Sequence, residues 1–580
     1  MKRIRIDKRN EEGMALLVAT IFILVALIAL AALSHRVLSQ SHRVDSHIQL
    51  KECLQGLEFA LAESKAELEG GWNGHIGLDG WEFSGEWNPA EEPFPAPGFE
   101  DSGVVPEAIA TMNRVEYLAY AHSWADDGLD NNGDGVIDEP DEEFMHTVYA
   151  FARNTAGSVH RAAEIVVGGT DVNVWRNAVF AGAGQAGGSI SGNVSIHGSV
   201  HILGDNIAEG AEAIVVLDME GTSLIHNNYD VGAGLGPGQA IFDRCPPLPT
   251  TSFEGEDGIE TLFAKLRVKN GVVSINSTSE VGAPDVKGNG FKETMDGVFV
   301  EDGWTGNKVV DDGDRGDPTE VYSDNGWDEG YDLGERVELP LFDSEYRDME
   351  GNTVPNPDTG ANYTHYEYFH DQLTGTPYEG DVYIEQGKGD FYYNATRPDD
   401  PDPANRQPDD DFIYYDDTTG RLWQNGQVEI NGNFTMTGKP GKVAPTVDYT
   451  GRVALLVHGN AQLDCNLMSM HEAGTTDRSF PEKNVFGIMG EKDMSIGNIA
   501  QQDLMGAFYA QGSIISSKQT RVMGSFVANF FDLGNQVPDI YQVPALAENL
   551  PMGMIGAYPL IFYDNISWRE IEYEHEEPSA

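Results

Sequence analysis

The sequence is short of basic residues and of cysteine, and both shortages exclude classes of function. It has 36 Lys and Arg residues against 94 Asp and Glu residues, which gives a formal net charge of -58. Phosphate backbones and anionic surfaces repel so acidic a chain, so we expect no nucleic-acid partner. The three cysteines, Cys53, Cys245 and Cys465, show no CxxC or zinc-type spacing. Cys245 and Cys465 either form a disulfide in an oxidising compartment or remain two buried free thiols.

The familiar catalytic motifs are also missing. There is no HExxH, no GxSxG, no P-loop and no GxGxxG that opens a helix. We therefore assign no catalytic residue and expect a protein that is not an enzyme. The enzymatic alternative is a calcium-dependent β-helix polysaccharide lyase or hydrolase, because paired carboxylates suit that chemistry. With 94 acidic residues, sequence spacing cannot single out such a pair.

Long apolar runs are scarce, and one stands out near the N-terminus. Residues 14–33, MALLVATIFILVALIALAAL, are twenty residues without charge or proline. At about 1.5 Å per residue they reach across about 30 Å of hydrocarbon, which predicts a transmembrane helix. Five basic residues lie within positions 2–9, so the positive-inside rule directs the rest of the chain outward. This predicts a single-pass inner-membrane protein, later on a pilus or the cell surface, with its bulk periplasmic or extracellular.

The helical pattern continues beyond this run. No proline occurs between Leu33 and Pro89, and leucines recur at three-, four- and seven-residue spacing. Such spacing places side chains on one helix face. These leucines are Leu50, Leu54, Leu57, Leu61 and Leu68. We predict one helix over 14–71, a rod on the order of 80 Å long, that ends at the glycines 70 and 71.

Two segments resemble type IV pilins. EEGMALLVATIFILVALIALAAL is similar to the class III signal that prepilin peptidase cuts after a glycine, here Gly13, leaving Met14 as the new N-terminus. GLEFALAESKAELEGG resembles the helix end of PilX-like minor pilins. The resemblance implies a leader over 1–13 and assembly with other pilins or pseudopilins through the N-terminal helix. Major pilins carry glutamate at the fifth mature position, where this chain has Val18, which implies a minor subunit.

An acidic segment has the spacing of a calcium loop. Calcium prefers six to eight oxygen ligands, and an EF-hand-type loop supplies them from positions 1, 3, 5, 7, 9 and 12. Residues at that spacing are Asp130, Asn132, Asp134, Val136 through its carbonyl, Asp138 and Asp141. The loop resembles dockerin and thrombospondin type 3 loops, which implies structural calcium; a solvated acidic loop is the alternative. A looser second candidate, Asp324, Asp328 and Asp332, competes with a disordered acidic insert.

The sequence predicts an α+β to mainly β fold. A small antiparallel sheet that carries the calcium loop is expected over 72–170, after the helix. Short apolar runs separated by Gly, Asn and Ser over 171–580 predict a right-handed β-solenoid, with acidic insertions near 300–340 and 398–411. A β-sandwich is the alternative. The alternating residues Ile190, Val194, Ile196, Val200 and Ile202 should point inward.

These features together predict a minor pilin, or a pilus-associated surface subunit with a structural or adhesive role. Its expected partners are other pilins or pseudopilins, prepilin peptidase and, before assembly, the inner membrane. A single-span membrane-anchored adhesin is the alternative that keeps the apolar run without a pilus.

The calcium loop gives a direct prediction. Asp130→Ala combined with Asp134→Ala removes two carboxylate ligands. Calcium should then no longer raise the temperature of the unfolding transition that includes this loop. In the parent chain the gain is about 2.7 kcal/mol at a hundredfold excess of calcium over its Kd. Calorimetry of both chains with calcium and with chelator measures this. A calcium-independent transition in the parent chain supports the solvated loop.

Overall fold

A computed structural model describes most of the chain beyond the N-terminal quarter. The described residues are 17, 19–28, 30, 48–62, 64, 65, 68, 110–112, 115–124, 145–154, 160–171, 173–185, 194–205, 214–229, 239–253, 255–307, 309, 310, 320, 321, 337–347, 353–373, 375–438, 446–471, 478–497, 502–516, 518, 520–533, 539–557 and 561–571.

Strands dominate the described residues. In chain order they are β1 (Ala110–Met112), β2 (Val115–Ser123), β3 (Met145–Asn154), β4 (His160–Asp171), β5 (Val179–Gln185), β6 (Ser195–His197), β7 (Val200–Ile202), β8 (Val215–Met219), β9 (Leu224–His226), β10 (Thr250–Phe253), β11 (Glu256–Glu260), β12 (Lys265–Val268), β13 (Val272–Ile275), β14 (Glu280–Val281), β15 (Gly297–Val300), β16 (Trp304–Gly306), β17 (Val309–Val310), β18 (Glu320–Val321), β19 (Tyr378–Glu379), β20 (Val382–Glu385), β21 (Phe391–Asn394), β22 (Phe412–Asp416), β23 (Arg421–Asn431), β24 (Phe434–Thr437), β25 (Thr446–Thr450), β26 (Arg452–Val457), β27 (Ala461–Asp464), β28 (Asn466–Ser469), β29 (Val485–Gly490), β30 (Met494–Ile496), β31 (Gln502–Ser516), β32 (Thr520–Asp532), β33 (Asp539–Tyr541) and β34 (Ile561–Ile571).

Helical structure is limited. Residues 17, 19–28 and 30 are helical, as are residues 48–62, 64, 65 and 68. The later α-helices are Gln239–Phe242 and His365–Gln372, and the 3₁₀ helices are Val174–Arg176, Pro403–Asn405 and Pro544–Asn549.

The predicted fold class, a long N-terminal pilin-type helix, a small antiparallel sheet and a β-solenoid, is wrong. The chain is mostly β with large sheets, and its described N-terminal helical residues form short stretches. Hydrophobic periodicity shows which helix face is buried, but it does not show how far the helical hydrogen bonds continue. The all-round apolar run and the one-sided leucine stripe are different patterns, and the prediction joined them across 31–47, which lies outside the described residues.

The predicted inner-membrane localisation is also wrong. Crossing about 30 Å of hydrocarbon takes about twenty consecutive apolar helical residues. Within the described ranges, no helix reaches the length and apolarity that a membrane crossing requires.

The chain divides into two compact units, residues 1–170 with 562–580, and residues 171–561. The first contains a five-stranded sheet in the order β1-β2-β3-β4-β34. Strands β1 to β4 pair antiparallel in sequence order. The range 171–580 was predicted to form one domain, whereas β34 lies beside β4. The second unit is therefore inserted between two neighbouring strands of the first unit's sheet.

The second unit is built on parallel pairing. We define ladder A as the strands that pair in the order β19, β23, β26, β29, β31, β32, β5, β7, β12 and β15. VALLV within β26 and VFGIMG in β29 are continuous apolar runs. Such runs are typical of parallel strands that are buried on both faces, because both sets of alternating side chains must avoid water.

Two further ladders share strands with ladder A. β20, β24, β27 and β30 continue onto the C-terminal part of β31. β25 and β28 continue onto the N-terminal parts of β31 and β32, and then onto β33, β6, β9 and β14. β31 and β32 take part in several ladders because they are 15 and 13 residues long.

The strand order in ladder A does not follow the chain. The chain enters at β5, in the middle of the ladder, and continues through β7 and β12 to one end at β15. It then passes to the opposite end and returns from β23 to β32, which pairs with β5. The β32–β5 pairing therefore joins two halves of the unit that are far apart in sequence.

The alternating residues predicted to point inward are buried where they are described. Val194, Ile196, Val200 and Ile202 each have 2% or less of their surface exposed, and Ile190 lies outside the described residues. His201, between Val200 and Ile202, is also fully buried. Strand β7 is thus covered on both faces, which simple alternation does not indicate.

Ile196→Asp should destabilise the second unit by roughly 3 kcal/mol or more, because it buries a charge without a partner. Ile196 stacks between Ile540 and Ile225 at matching positions of β33 and β9. Thermal unfolding followed by circular dichroism measures the loss. Val286→Asp, the same kind of change at a residue that is 59% exposed, is the control and should have little effect. An unchanged midpoint for Ile196→Asp would contradict the strand register.

Candidate functional site

Most of the predicted site residues lie outside the described residues. This applies to the processing residues Gly13 and Met14 and to both acidic segments, 130–141 and the set Asp324, Asp328 and Asp332. Processing and calcium binding therefore remain predictions. Within the described part of the chain, no three His, Cys, Asp or Glu side chains are grouped so that they could hold a metal.

Cys245 and Cys465 are described, and both are buried free thiols. Cys245 lies just after the helix Gln239–Phe242, and its Sγ is 3.7 Å from the Ile241 carbonyl oxygen. Burial raises the pKa of both thiols. A raised pKa keeps the thiols protonated, and therefore unreactive, at neutral pH.

In the first unit, helical residues pack on one face of the antiparallel sheet. That face carries alanines at neighbouring positions of three strands: Ala119, Ala150, Ala152 and Ala163. All four are buried. Because alanine projects little from a sheet, this face allows a helix to approach closely.

The helix contributes small residues to the contact. Cys53, Ala60 and Ser64 are buried and, together with Leu57, follow the three- and four-residue spacing of one helix face. Leu57 and Leu68 are buried as the leucine stripe predicts, but Leu54 is 40% exposed. The helix is thus rotated so that small side chains, in addition to leucines, meet the alanine face.

Gly56 lies at the closest approach. A Cβ added to Gly56 would lie 2.6 Å from Val115 Cγ1 and 3.4 Å from Ala152 Cβ. The first distance is shorter than real side chains tolerate, and a valine held in β2 has little freedom to move away. Glycine at position 56 is therefore required by the helix–sheet spacing.

Two further contacts fix the helix along the sheet. Asn154 Nδ2 donates to Gln49 Oε1 at 3.3 Å. The Phe59 and Tyr117 rings pack edge to face with centroids 5.4 Å apart. These contacts lie at opposite ends of the described stretch 48–62, so they define its direction across the strands.

Burial at this interface changes the chemistry of Cys53. The residue has no exposed surface. Burial raises the pKa of its thiol, with a smaller opposing effect from the Asn154 backbone. The thiol can react with a water-soluble reagent only when the helix separates from the sheet, which makes Cys53 a natural probe of helix docking.

An ionic contact elsewhere in the sheet joins β34 to its neighbour β4. Arg569 of β34 donates to Glu164 Oε2 of β4 at 2.6 Å. Glu164 lies opposite Tyr149 of β3, whose pKa burial and then the Glu164 charge raise to about 12. The last strand of the chain thus contributes a charge partner to the sheet of the first unit.

The N-terminal helical residues present an unusual surface. The large apolar side chains described between 17 and 30 are each between 52% and 72% exposed. Phe22, Ile23, Leu24 and Val25 are consecutive, so they point to all sides of a helix with 3.6 residues per turn. A helix that is apolar on every side is stable in water only when other groups cover it.

Comparison with solved structures gives a pilin as a structural neighbour. No protein-family model and no curated protein matches the chain. Among solved structures, the chain is similar to the competence-associated pilin ComZ from Thermus thermophilus, with a TM-score of 0.44 and 14% identity over 91% of this chain and 97% of that chain. The finer PilX-like resemblance stays a prediction.

The roles of Gly56 and Cys53 in helix docking were not predicted from the sequence. A glycine within a helical pattern is a signal of close packing, because glycine weakens a helix by about 1 kcal/mol relative to alanine. Its partner, Val115, lies about sixty residues away in sequence, and nothing local connects the two.

Gly56→Val should separate the helix from the alanine face, because overpacking of this kind costs roughly 1–3 kcal/mol. The population with Cys53 accessible should rise by about tenfold for each 1.4 kcal/mol. The rate of thiol labelling at Cys53, located by peptide mass spectrometry, measures this. Gln55→Val, at the exposed neighbouring position, is the control and should leave the rate unchanged. Equal labelling rates for the two variants would contradict the close approach at Gly56.

Proposed function

We propose that this chain is a pilus-associated surface subunit with a structural role, and more specifically a minor pilin. The observation that carries the proposal is the apolar N-terminal helix whose side chains are exposed on every side. In the proposal, the N-terminal helices of other pilins or pseudopilins cover these side chains. The pilin-type leader and the missing glutamate at Val18 support a minor subunit.

The first unit supports the same proposal. Its second helical stretch packs on an antiparallel sheet through Gly56, Leu57 and Ala60. In the proposal, assembly through the exposed apolar helix carries the first unit with it, because both belong to one polypeptide. Prepilin peptidase would act between Gly13 and Met14 before assembly.

The second unit would then be the part presented to the surroundings. Its insertion between β4 and β34 adds residues 171–561 without interrupting β1 to β4. We propose that it has a structural or adhesive role and no catalytic one, and that calcium binding at 130–141 stabilises the loop between β2 and β3. The formal net charge of -58 on the whole chain favours cationic partners over nucleic acid.

Assembly through the apolar helix can be tested with Phe22→Asp. The substitution places an unpaired charge in the proposed helix–helix contact, so the amount of chain recovered in sheared pili should fall by roughly tenfold or more. Immunoblotting of pili sheared from cells that express the parent or variant chain measures the amount. Met552→Asp changes a residue of the second unit that is 74% exposed and should remain in the pilus fraction. Retention of Phe22→Asp, or absence of the parent chain from pili, would contradict the proposal.

A further inference from the structure

A group of ionisable side chains links three successive strands near one end of ladder A. His458 directly follows β26, and its Nε2 is 2.6 Å from Oε1 of Glu429 in β23. Its Nδ1 is 2.8 Å from Oε2 of Glu491, which directly follows β29. Since β26 pairs with β23 on one side and with β29 on the other, a single imidazole connects both neighbours of its own strand.

The number of N–H donors on the His458 ring depends on its protonation state. An ionised carboxylate can only accept hydrogen bonds, and a neutral imidazole has one N–H donor. Both contacts of His458 are hydrogen bonds to ionised carboxylates only when the ring is an imidazolium. Loss of its proton would leave one ring nitrogen facing a carboxylate oxygen with no hydrogen between them.

The difference in burial between Glu429 and Glu491 determines which contact of His458 breaks when the ring loses its proton. The side chain of Glu429 is 1% exposed, whereas that of Glu491 is 46% exposed. Among the described residues, Glu429 Oε2 has no hydrogen-bond partner, so this side chain is hydrogen-bonded only through Oε1. Water can solvate Glu491 but cannot reach Glu429, so the Glu491 contact is the one that should open.

The cluster also holds the helix His365–Gln372. Tyr366 OH donates to Glu429 Oε1 at 3.3 Å, and its ring packs edge to face on His458 with centroids 5.6 Å apart. Elsewhere the helix has a capping box formed by Thr364 and Glu367. Tyr366 is therefore the side chain through which the charge state of His458 reaches this helix.

The surrounding groups favour the charged imidazole. The hydrogen bond to Glu429 raises the pKa of His458 above its usual 6.5, against the effect of burial and with a further contribution from Glu491. On the helix, the rings of Tyr366 and His370 are tilted relative to one another, with centroids 5.9 Å apart. Burial, and then the charges of Glu379 and Glu429, raise the pKa of Tyr393 to about 12. The strands beside the cluster therefore add two ionisable groups, the Tyr393 phenol from β21 and the Glu379 carboxylate from β19.

We propose that His458 is a pH-operated clamp. As an imidazolium it ties β23, the turn after β29 and the helix His365–Gln372 together, and when it loses its proton it releases Glu491 and loosens the helix. Because the folded state raises the pKa of His458, the clamp contributes its full stability below pH 6.5 and loses it as the pH rises through the folded-state pKa.

Two measurements on the full chain test the clamp. The unfolding midpoint of the parent chain should fall as the pH rises from about 6 to about 9, and His458→Gln should show a smaller fall, because glutamine has no titrating group. In the histidine NMR spectrum, the signal that His458→Gln removes should titrate above pH 6.5 in the parent chain. Glu491→Gln should move that titration towards 6.5.

Glu491→Gln keeps the test decisive if the His458 variant misfolds. It changes only a half-exposed carboxylate to a neutral group of the same shape, so the fold should be retained. A His458 signal that titrates at or below 6.5 in the parent chain would overturn the clamp. So would a midpoint that falls equally with pH in the parent chain and in both variants.

Discussion

The second unit depends on the parallel register that places one inward side chain directly above the next. Neighbouring strands lie about 4.8 Å apart, so each inward side chain must fit against the side chains at the paired positions of the two neighbouring strands. Along ladder A one inward row consists of Val428, Leu455, Ile488, Phe508, Phe526, Val179, Val200, Leu266 and Val298. The row continues unbroken from Phe526 to Val179, where two distant parts of the chain meet. Without that pairing each half would end in an open strand edge.

The same register creates a second row on the other face of ladder A. This row contains several polar residues. It includes Tyr509, which donates to the Pro340 carbonyl oxygen at 2.7 Å. It also includes His201, whose pKa burial lowers well below 6.5 so that the ring stays neutral. Glu429 lies at one end of the row, with its Oε1 2.6 Å from Nε2 of His458. Because both faces of the ladder are covered, each polar group in this row needs a partner or a neutral form.

The two units are stabilised in different ways. In the first unit, the alanine face and Gly56 bring a helix close to an antiparallel sheet, and the apolar residues between 17 and 30 remain uncovered. In the second, a large core is completed by the strands themselves. Since residues 171–561 lie between β4 and β34, the second unit can grow or change without altering the pairing of β1 to β4.

The sequence by itself determined the features that depend on neighbours along the chain. These are the acidic charge, the apolar N-terminal helix, the burial of Leu57 and Leu68, and the burial of Val194, Ile196, Val200 and Ile202. Only the tertiary structure decided that the N-terminal helices are short, that β34 joins the first sheet, that Gly56 meets Val115, and that His458 bridges Glu429 and Glu491. Periodicity reports which side of an element avoids water, because that is a local property of side chains. It carries no information on which distant segments become neighbours, since that choice depends on how the whole chain fills its core.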